Sequence, residues 1–228
     1  MPQPDTPLQA VLFDLDGTLL DTAPDFIWVI NRLLAEEQHS ALDFAALRQQ
    51  VSNGATAMVC TAFNLPEQHP RVTPLRQRFL DIYLEHLAIK TEPFAGIMPL
   101  LNWLEHCAIP WGIVTNKPEL YTHKLLQRLD LHHRAGSIIC PEQVQQRKPH
   151  PESIWLACKE LDCTPENSVY IGDHIRDIDA GRRAGLTTIA ALYGYIGPDE
   201  NPCDWHSDHN VDHADAIKPL LQSLYRLS

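Results

Sequence analysis

The feature that most constrains this chain is a series of short, unbroken apolar runs, each followed directly by polar or charged residues. The runs lie at 10–13, 111–115, 137–140, 168–171 and 187–191. Runs of this length suit strands that are buried on both faces of a parallel sheet. Helical patterns at about 118–129, 151–161 and 174–184 separate the later runs. The alternation predicts an α/β fold with a doubly wound, Rossmann-like parallel sheet.

One interval breaks this alternation. About 95 residues separate the first run from the second, far more than an ordinary crossover needs. The excess has helical spacing of apolar residues, with Pro24 in the first turn of its first helix. We therefore predict a helical insert at 21–92 and an α/β core formed by 1–20 and 93–228. Because ligands bind beyond the carboxyl ends of such strands, the insert is expected to cover the site as a cap.

Charge and cysteine usage restrict the partners and the compartment. The chain of 228 residues has 18 basic and 29 acidic side chains, a net charge of -11. This balance disfavours nucleic acid and anionic membrane surfaces as partners. The six cysteines form no CxxC pair, which disfavours a disulfide framework or a zinc site. With no signal-peptide pattern at the N-terminus and no membrane-length apolar run, we expect a cytoplasmic protein.

Two acids follow the first predicted strand, in the order Asp14-Leu15-Asp16-Gly17. Side chains two positions apart on an extended chain point the same way, so both carboxylates are expected at one place. Gly17 permits a sharp turn there. Two carboxylates this close repel each other unless a cation or a proton lies between them. Taken alone, the pair is equally typical of a turn with two solvated acids.

Three further segments favour a built site. The second long strand ends in Thr115-Asn116-Lys117, a later loop carries Lys148, and the fourth strand leads into Asp173 and Asp177. The carboxyl ends of parallel strands share one edge of the sheet, so these groups are expected to converge. Carboxylates, a lysine and a hydroxyl suit a site for Mg²⁺ and a phosphate ester.

These four segments, in this order, resemble the four motifs of the haloacid-dehalogenase-like hydrolase superfamily, and the insert resembles its type 1 cap. The resemblance implies a phosphatase that acts on a small-molecule phosphate ester. Asp14 would be the nucleophile that forms an aspartyl-phosphate. Asp16 would protonate the leaving oxygen and then activate water. Thr115 would bind a phosphoryl oxygen, and Lys148 would pair with both the nucleophile and the phosphate.

The same resemblance implies a magnesium cofactor. Its ligands would be Asp14, the backbone carbonyl of Asp16, and Asp173, with Asp177 bound directly or through water. Mg²⁺ keeps several of its waters and takes few carboxylates, which fits so sparse a ligand set.

Finer resemblances concern the substrate. The segments 19–25 and 51–55 are similar to those of phosphoglycolate phosphatases, and 193–196 with Trp205 is similar to N-acetylmuramic acid 6-phosphate phosphatases. Phosphate binding would fall to Thr115, Asn116 and Lys148. The polar break Ser52-Asn53-Gly54 is interpreted as the substrate-specificity loop, and an ordinary helix-connecting turn is an equal alternative.

A sugar-phosphate mutase is the alternative enzyme, and a non-catalytic scaffold is the alternative class of protein. The sequence specifies neither the protein partners nor the oligomeric state.

Overall fold

The computed structural model describes residues 6–197 and 199–226, so the predicted core residues 1–5, 198, 227 and 228 lie outside the described part. Six parallel strands form the central sheet. They are β1 Ala10–Phe13, β4 Trp111–Val114, β5 Ser137–Ile139, β6 Ser168–Gly172, β7 Thr187–Ala191 and β8 His209–Val211. Across the sheet they lie in the order β5-β4-β1-β6-β7-β8. The predicted doubly wound α/β fold is confirmed.

The first strand shows why its apolar run is unbroken. Val11 and Phe13 belong to the hydrophobic cluster on one face of the sheet, whereas Leu12 belongs to the cluster on the other. All three are fully buried. Helices cover both faces, and their bounds are α5 Ile97–His106, α6 Glu119–Arg128, α7 Glu152–Glu160, α8 Ile175–Ala184 and α9 Ile217–Leu224. The strand therefore contributes hydrophobic burial in both directions, about 1.5–3 kcal/mol for each large side chain.

The segment between β1 and α5 is mainly helical. It contains α1 Ala23–Glu36, α2 Phe44–Arg48, α3 Gly54–Phe63 and α4 Val72–His86. Phe26 of α1 packs against Phe79 and Tyr83 of α4, with ring centroids 5.7 and 4.3 Å apart. Aromatic pairs at these distances stabilise a helix contact beyond the area they bury.

Two short strands join this helical segment to the rest of the chain. They are β2 Leu20–Asp21 and β3 Glu92–Pro93, which pair antiparallel. Buried Asp25 reinforces this connection, since its carboxylate accepts hydrogen bonds from the backbone N–H groups of Ile89, Lys90 and Thr91. Both ends of the segment are thereby held side by side.

The structure adds strands that the sequence pattern did not predict. The two-residue strands are too short to show a periodic pattern of hydrophobic residues. The edge strand β8 has three residues, of which only Val211 is buried. Local patterning is too short in such elements to identify them. Within the described residues, no helix is long and apolar enough to cross a membrane.

Candidate active site

The predicted catalytic residues meet at one edge of the sheet. Asp14 directly follows β1, Thr115 follows β4, and Asp173 follows β6. These three strands are adjacent and parallel, so their carboxyl ends lie side by side. Lys148 reaches the same place from the loop between β5 and α7, and all four side chains are buried.

Three carboxylates form the centre of this site. One oxygen each of Asp14, Asp173 and Asp177 lies within 4.8 Å of the others. Burial, followed by the charges of Asp14 and Asp177, raises the pKa of Asp173 to about 8. Burial also raises the pKa of Asp14 to about 6, although the charge of Lys148 opposes the rise. Repulsion among buried acids is what a bound cation relieves, so the donor set fits Mg²⁺.

Glycine allows the chain to pass close to Asp173. Gly17 has φ +91°, and a Cβ there would lie 2.1 Å from the Oδ2 atom of Asp173. A Cβ on Gly194 would lie 2.2 Å from the Asp173 Cβ. Asp173 also accepts hydrogen bonds from Thr18, Ser52 and the backbone N–H of Tyr195. The acid is therefore fixed from several sides.

Lys148 is the cation that balances part of this negative charge. Its Nζ lies 2.7 Å from Asp14 Oδ1 and 2.8 Å from Asp177 Oδ1. It also donates to the carbonyl oxygen of Val114 and to Tyr170 Oη. Burial by itself would lower the pKa of Lys148, but the charges of Asp14 and Asp177 outweigh it and raise that pKa. The lysine is thus held as an ammonium beside the Asp14 carboxylate.

Asp16 is held by contacts of its own. Its carboxylate is outside the group of three acids, and its Oδ1 accepts hydrogen bonds from Lys117 Nζ at 2.9 Å and from Thr22 Oγ1 at 2.7 Å. Both acids line the same cavity, and the expectation that their carboxylates converge on one point stays a prediction. The predicted metal ligand at Asp16 is its backbone carbonyl.

A cavity of about 640 Å³ opens over these groups. Apart from Asp173, which lies buried beneath it, the predicted site residues line this cavity: Asp14, Asp16, Ser52, Asn53, Gly54, Thr115, Asn116, Lys148 and Asp177. Some of them also hold one another. Asn116 donates its amide to the Lys148 carbonyl oxygen, and Asn53 accepts from Arg176. Ser52, predicted for the specificity loop, hydrogen-bonds to Asp173.

The cavity wall includes side chains to which the sequence analysis gave no role. Lys117 is buried, and its Nζ also lies 2.9 Å from Tyr83 Oη. Arg76 and Tyr83 come from α4, and Tyr121 comes from α6. The adjacency of Lys117 to Thr115 was a usable signal for the lysine. Tyr83 falls in the helical pattern of the predicted insert, and such a pattern indicates only a packed position.

Comparison with known proteins agrees with this geometry. The profile of the haloacid dehalogenase-like hydrolase family matches residues 11–191. An N-acetylmuramic acid 6-phosphate phosphatase of Pseudomonas aeruginosa is 47% identical over 94% of this chain and 95% of its own length. A phosphoglycolate phosphatase of Xanthomonas campestris is 39% identical over 90% of this chain and 92% of its own.

Solved structures show the same architecture. A predicted phosphoglycolate phosphatase from Haemophilus somnus superimposes with a TM-score of 0.82 over 93% of this chain and 97% of its own. At 22% identity this likeness concerns the fold. Taken with the match to the family profile and the two relatives, it shows that the chain belongs to the haloacid dehalogenase-like hydrolase family, as a member of its phosphatase branch.

Proposed function

We propose that this chain is a magnesium-dependent phosphatase that hydrolyses N-acetylmuramic acid 6-phosphate through an aspartyl-phosphate at Asp14. The observation that carries the reaction type is the placement of two acids in one cavity. Asp14 is held by Lys148 next to Asp173 and Asp177, while Asp16 contacts Lys117. This arrangement supports our proposal that Asp14 attacks phosphorus and that Asp16 transfers the proton.

The reaction has two steps. An Asp14 oxygen forms a bond to phosphorus as the bond from phosphorus to the ester oxygen breaks, and Asp16 gives its proton to that oxygen. Asp16 then takes a proton from water, whose oxygen attacks phosphorus and releases Asp14 and inorganic phosphate. Lys148 and the Thr115 hydroxyl stabilise the negative charge on the phosphoryl oxygens.

Four groups would bind the metal ion in this mechanism. Asp14, the Asp16 backbone carbonyl, Asp173 and Asp177 would hold it. When bound, Mg²⁺ supplies positive charge that offsets the repulsion between an aspartate nucleophile and a phosphate dianion.

The substrate assignment is supported by the relatives and by the cavity. The two relatives at 47% and 43% identity, both from Pseudomonas, are named N-acetylmuramic acid 6-phosphate phosphatases. Phosphoglycolate phosphatases follow at 39%. A cavity of about 640 Å³ leaves space for a sugar beyond the phosphate. We propose that residues 21–92 act as the cap over this space, with Ser52-Asn53-Gly54 forming part of its wall.

The proposed function is tested by steady-state hydrolysis of phosphate monoesters with Mg²⁺. The set should contain N-acetylmuramic acid 6-phosphate, 2-phosphoglycolate and glucose 1-phosphate. We expect the first to have the highest kcat/KM. A higher value for 2-phosphoglycolate would reassign the substrate within the same mechanism. Transfer of phosphate between sugars without its release would replace the phosphatase by a mutase.

Metal binding is expected to change stability with a defined pH dependence. The pKa values of Asp14 and Asp173 rise from 3.8 to about 6 and about 8 on folding. The folded chain then binds more protons at these two acids. In the absence of metal, their contribution to stability is fully present below about pH 4 and is lost as pH rises through those values. Mg²⁺ replaces these protons. We therefore expect it to raise Tm more at about pH 8.5 than at about pH 6.

Differential scanning fluorimetry with EDTA or Mg²⁺ measures this effect. The Asp173→Asn variant is the control, and it should lose most of the Mg²⁺-induced rise in Tm. An equal Mg²⁺ effect at both pH values, or an unchanged effect in the variant, would contradict the assignment of the metal to these acids.

Lys117 is expected to matter through Asp16. Its ammonium holds the Asp16 carboxylate at 2.9 Å, so Lys117→Met should misplace the acid that protonates the leaving group. We expect turnover of sugar phosphates to fall about tenfold to a hundredfold, as for other small misplacements of catalytic groups. Release of p-nitrophenolate in a single turnover should fall much less, because that leaving group needs no proton.

The control for this variant is Lys124→Met, which removes an exposed lysine of α6. It should leave both rates unchanged. If Lys117→Met slowed the release of alcohol and of p-nitrophenolate equally, the positioning of Asp16 would not be its role.

A further inference from the structure

The arginines of α4 and its N-cap fall into two groups. Arg71 and Arg78 face α1 and form ion pairs with Glu36 and Glu37. Arg76 faces the other way and lines the cavity. In the part of the chain that the structure describes, no carboxylate lies within 4.0 Å of its guanidinium. One helix thus carries two arginines that are neutralised by glutamates and one that is left facing the substrate space.

The charge of Arg76 is unusual in its surroundings. The chain has an excess of 11 negative charges, so acidic partners are plentiful. Arg76 is half-buried and lies near Tyr121. Burial raises the pKa of Tyr121, and the charge of Arg76 opposes that rise. An unpaired guanidinium on a cavity wall is well suited to bind an anionic group of a ligand, because it presents a planar fork of donors.

Helix geometry places Arg76 far from the phosphate end of the cavity. Tyr83, on the same face of α4, contacts Lys117, which in turn contacts Asp16. Arg76 precedes Tyr83 by seven residues, so their Cα atoms are about 10 Å apart along the helix axis. Side chains at both positions lean towards the N-terminus of the helix, so this offset is kept.

The other arginines of the cavity wall come from segments outside residues 21–92. Arg147 precedes Lys148 directly, and Arg176 belongs to the first turn of α8, where it donates to Asn53. Neither is on the helical insert. Arg76 is therefore the arginine that is positioned for a second charged group at a distance from the phosphate.

We propose that Arg76 forms a second anion subsite, which binds a carboxylate of the substrate at the far end of the cavity. This inference rests on the proposed function and deepens it. In 2-phosphoglycolate the carboxyl carbon is three bonds from phosphorus, a span of about 4 Å at about 1.5 Å per bond. In N-acetylmuramic acid 6-phosphate the lactyl carboxyl carbon is about eight bonds away, across the sugar ring. The position of Arg76 fits the longer molecule.

The test uses two substrates that differ only in this group. N-acetylglucosamine 6-phosphate has the same phosphate and amino sugar but lacks the lactyl ether and its carboxylate. The wild type should prefer N-acetylmuramic acid 6-phosphate. We expect Arg76→Met to lower kcat/KM for that substrate about tenfold to a hundredfold, the loss of a charge-assisted hydrogen bond, mainly through KM. The value for N-acetylglucosamine 6-phosphate should stay within about threefold, because the lost contact is absent from it.

Arg71→Met is the matched control, since it removes the same charge at the N-cap of α4 outside the cavity. It should keep the wild-type preference. An equal loss on both substrates in Arg76→Met, or a preference that survives the substitution, would overturn the subsite.

A binding measurement separates this inference from the proposed function. Calorimetric titration with N-acetylmuramic acid and with N-acetylglucosamine requires no turnover. If the enzyme hydrolyses neither phosphate ester, the substrate assignment is wrong. The subsite still stands if the wild type prefers N-acetylmuramic acid and Arg76→Met loses that preference. It falls if the wild type binds both sugars alike.

Discussion

Replacing Asp14 with asparagine is expected to reduce kcat by about four orders of magnitude or more, as the loss of a covalent nucleophile does in other hydrolases. The amide cannot form the bond to phosphorus. The fold should persist, because asparagine has nearly the same shape and removes one negative charge from a cluster in which the pKa of Asp14 is already raised by burial. Phosphate release under saturating substrate measures the loss in kcat.

The phosphoenzyme gives a second readout of the same prediction. Acid quenching followed by mass spectrometry should find phosphate on the peptide that contains Asp14 in the wild type and none in the variant. The control is Asp212→Asn, an exposed acid in the turn after β8, which should behave as the wild type. Residual turnover in Asp14→Asn near the wild-type rate would exclude the aspartyl-phosphate mechanism.

Replacing Lys148 with methionine should affect both catalysis and stability. Its Nζ contacts the carboxylates of Asp14 and Asp177, and its side chain is buried. Removing one partner of a buried ion pair costs about 3–5 kcal/mol, because the remaining charges have no compensation. Loss of a positioned cation near the transferred phosphate should lower kcat by about a hundredfold to a thousandfold.

Urea unfolding in EDTA and steady-state kinetics with Mg²⁺ measure the two effects of Lys148→Met. Lys159→Met, at an exposed position of α7, should change neither by much. A variant of Lys148 that unfolds at the wild-type urea concentration and turns over at the wild-type rate would show that this ion pair has no part in either property.

The sequence predicted the sheet because its strands are buried on both faces and bear an uninterrupted apolar signal. The β1 run is the clearest example, since Val11 and Leu12 belong to hydrophobic clusters on opposite faces. The site followed from the same topology. Adjacent parallel strands must bring the residues after their carboxyl ends to one edge, so Asp14, Thr115 and Asp173 had to meet.

Contacts between distant segments could not be predicted in this way. The ion pair between Lys117 and Asp16 joins residues that are 101 positions apart, and the hydrogen bond from Lys117 to Tyr83 joins the loop after β4 to α4. No local pattern encodes how the insert is placed. The contact of Asp16 with Lys117 could not be predicted for this reason, because the sequence does not show that this cation is near.

The sequence also could not predict which arginine near the start of α4 faces the cavity. Three arginines lie within eight residues at the start of α4, and the sequence does not distinguish those that pair with Glu36 and Glu37 from the one that faces the cavity. The distinction depends on the rotation of α4 against α1, which is set by the packing of Phe26 on Phe79 and Tyr83.

The most direct test of the central claim is the rate of phosphate release from N-acetylmuramic acid 6-phosphate with Mg²⁺, measured for the wild type and Asp14→Asn side by side. We expect the wild type to hydrolyse this ester with a kcat/KM above that for 2-phosphoglycolate, and the variant to show only background release. Release by the wild type that does not exceed that of the variant would contradict the assignment of this chain as a phosphatase for that ester.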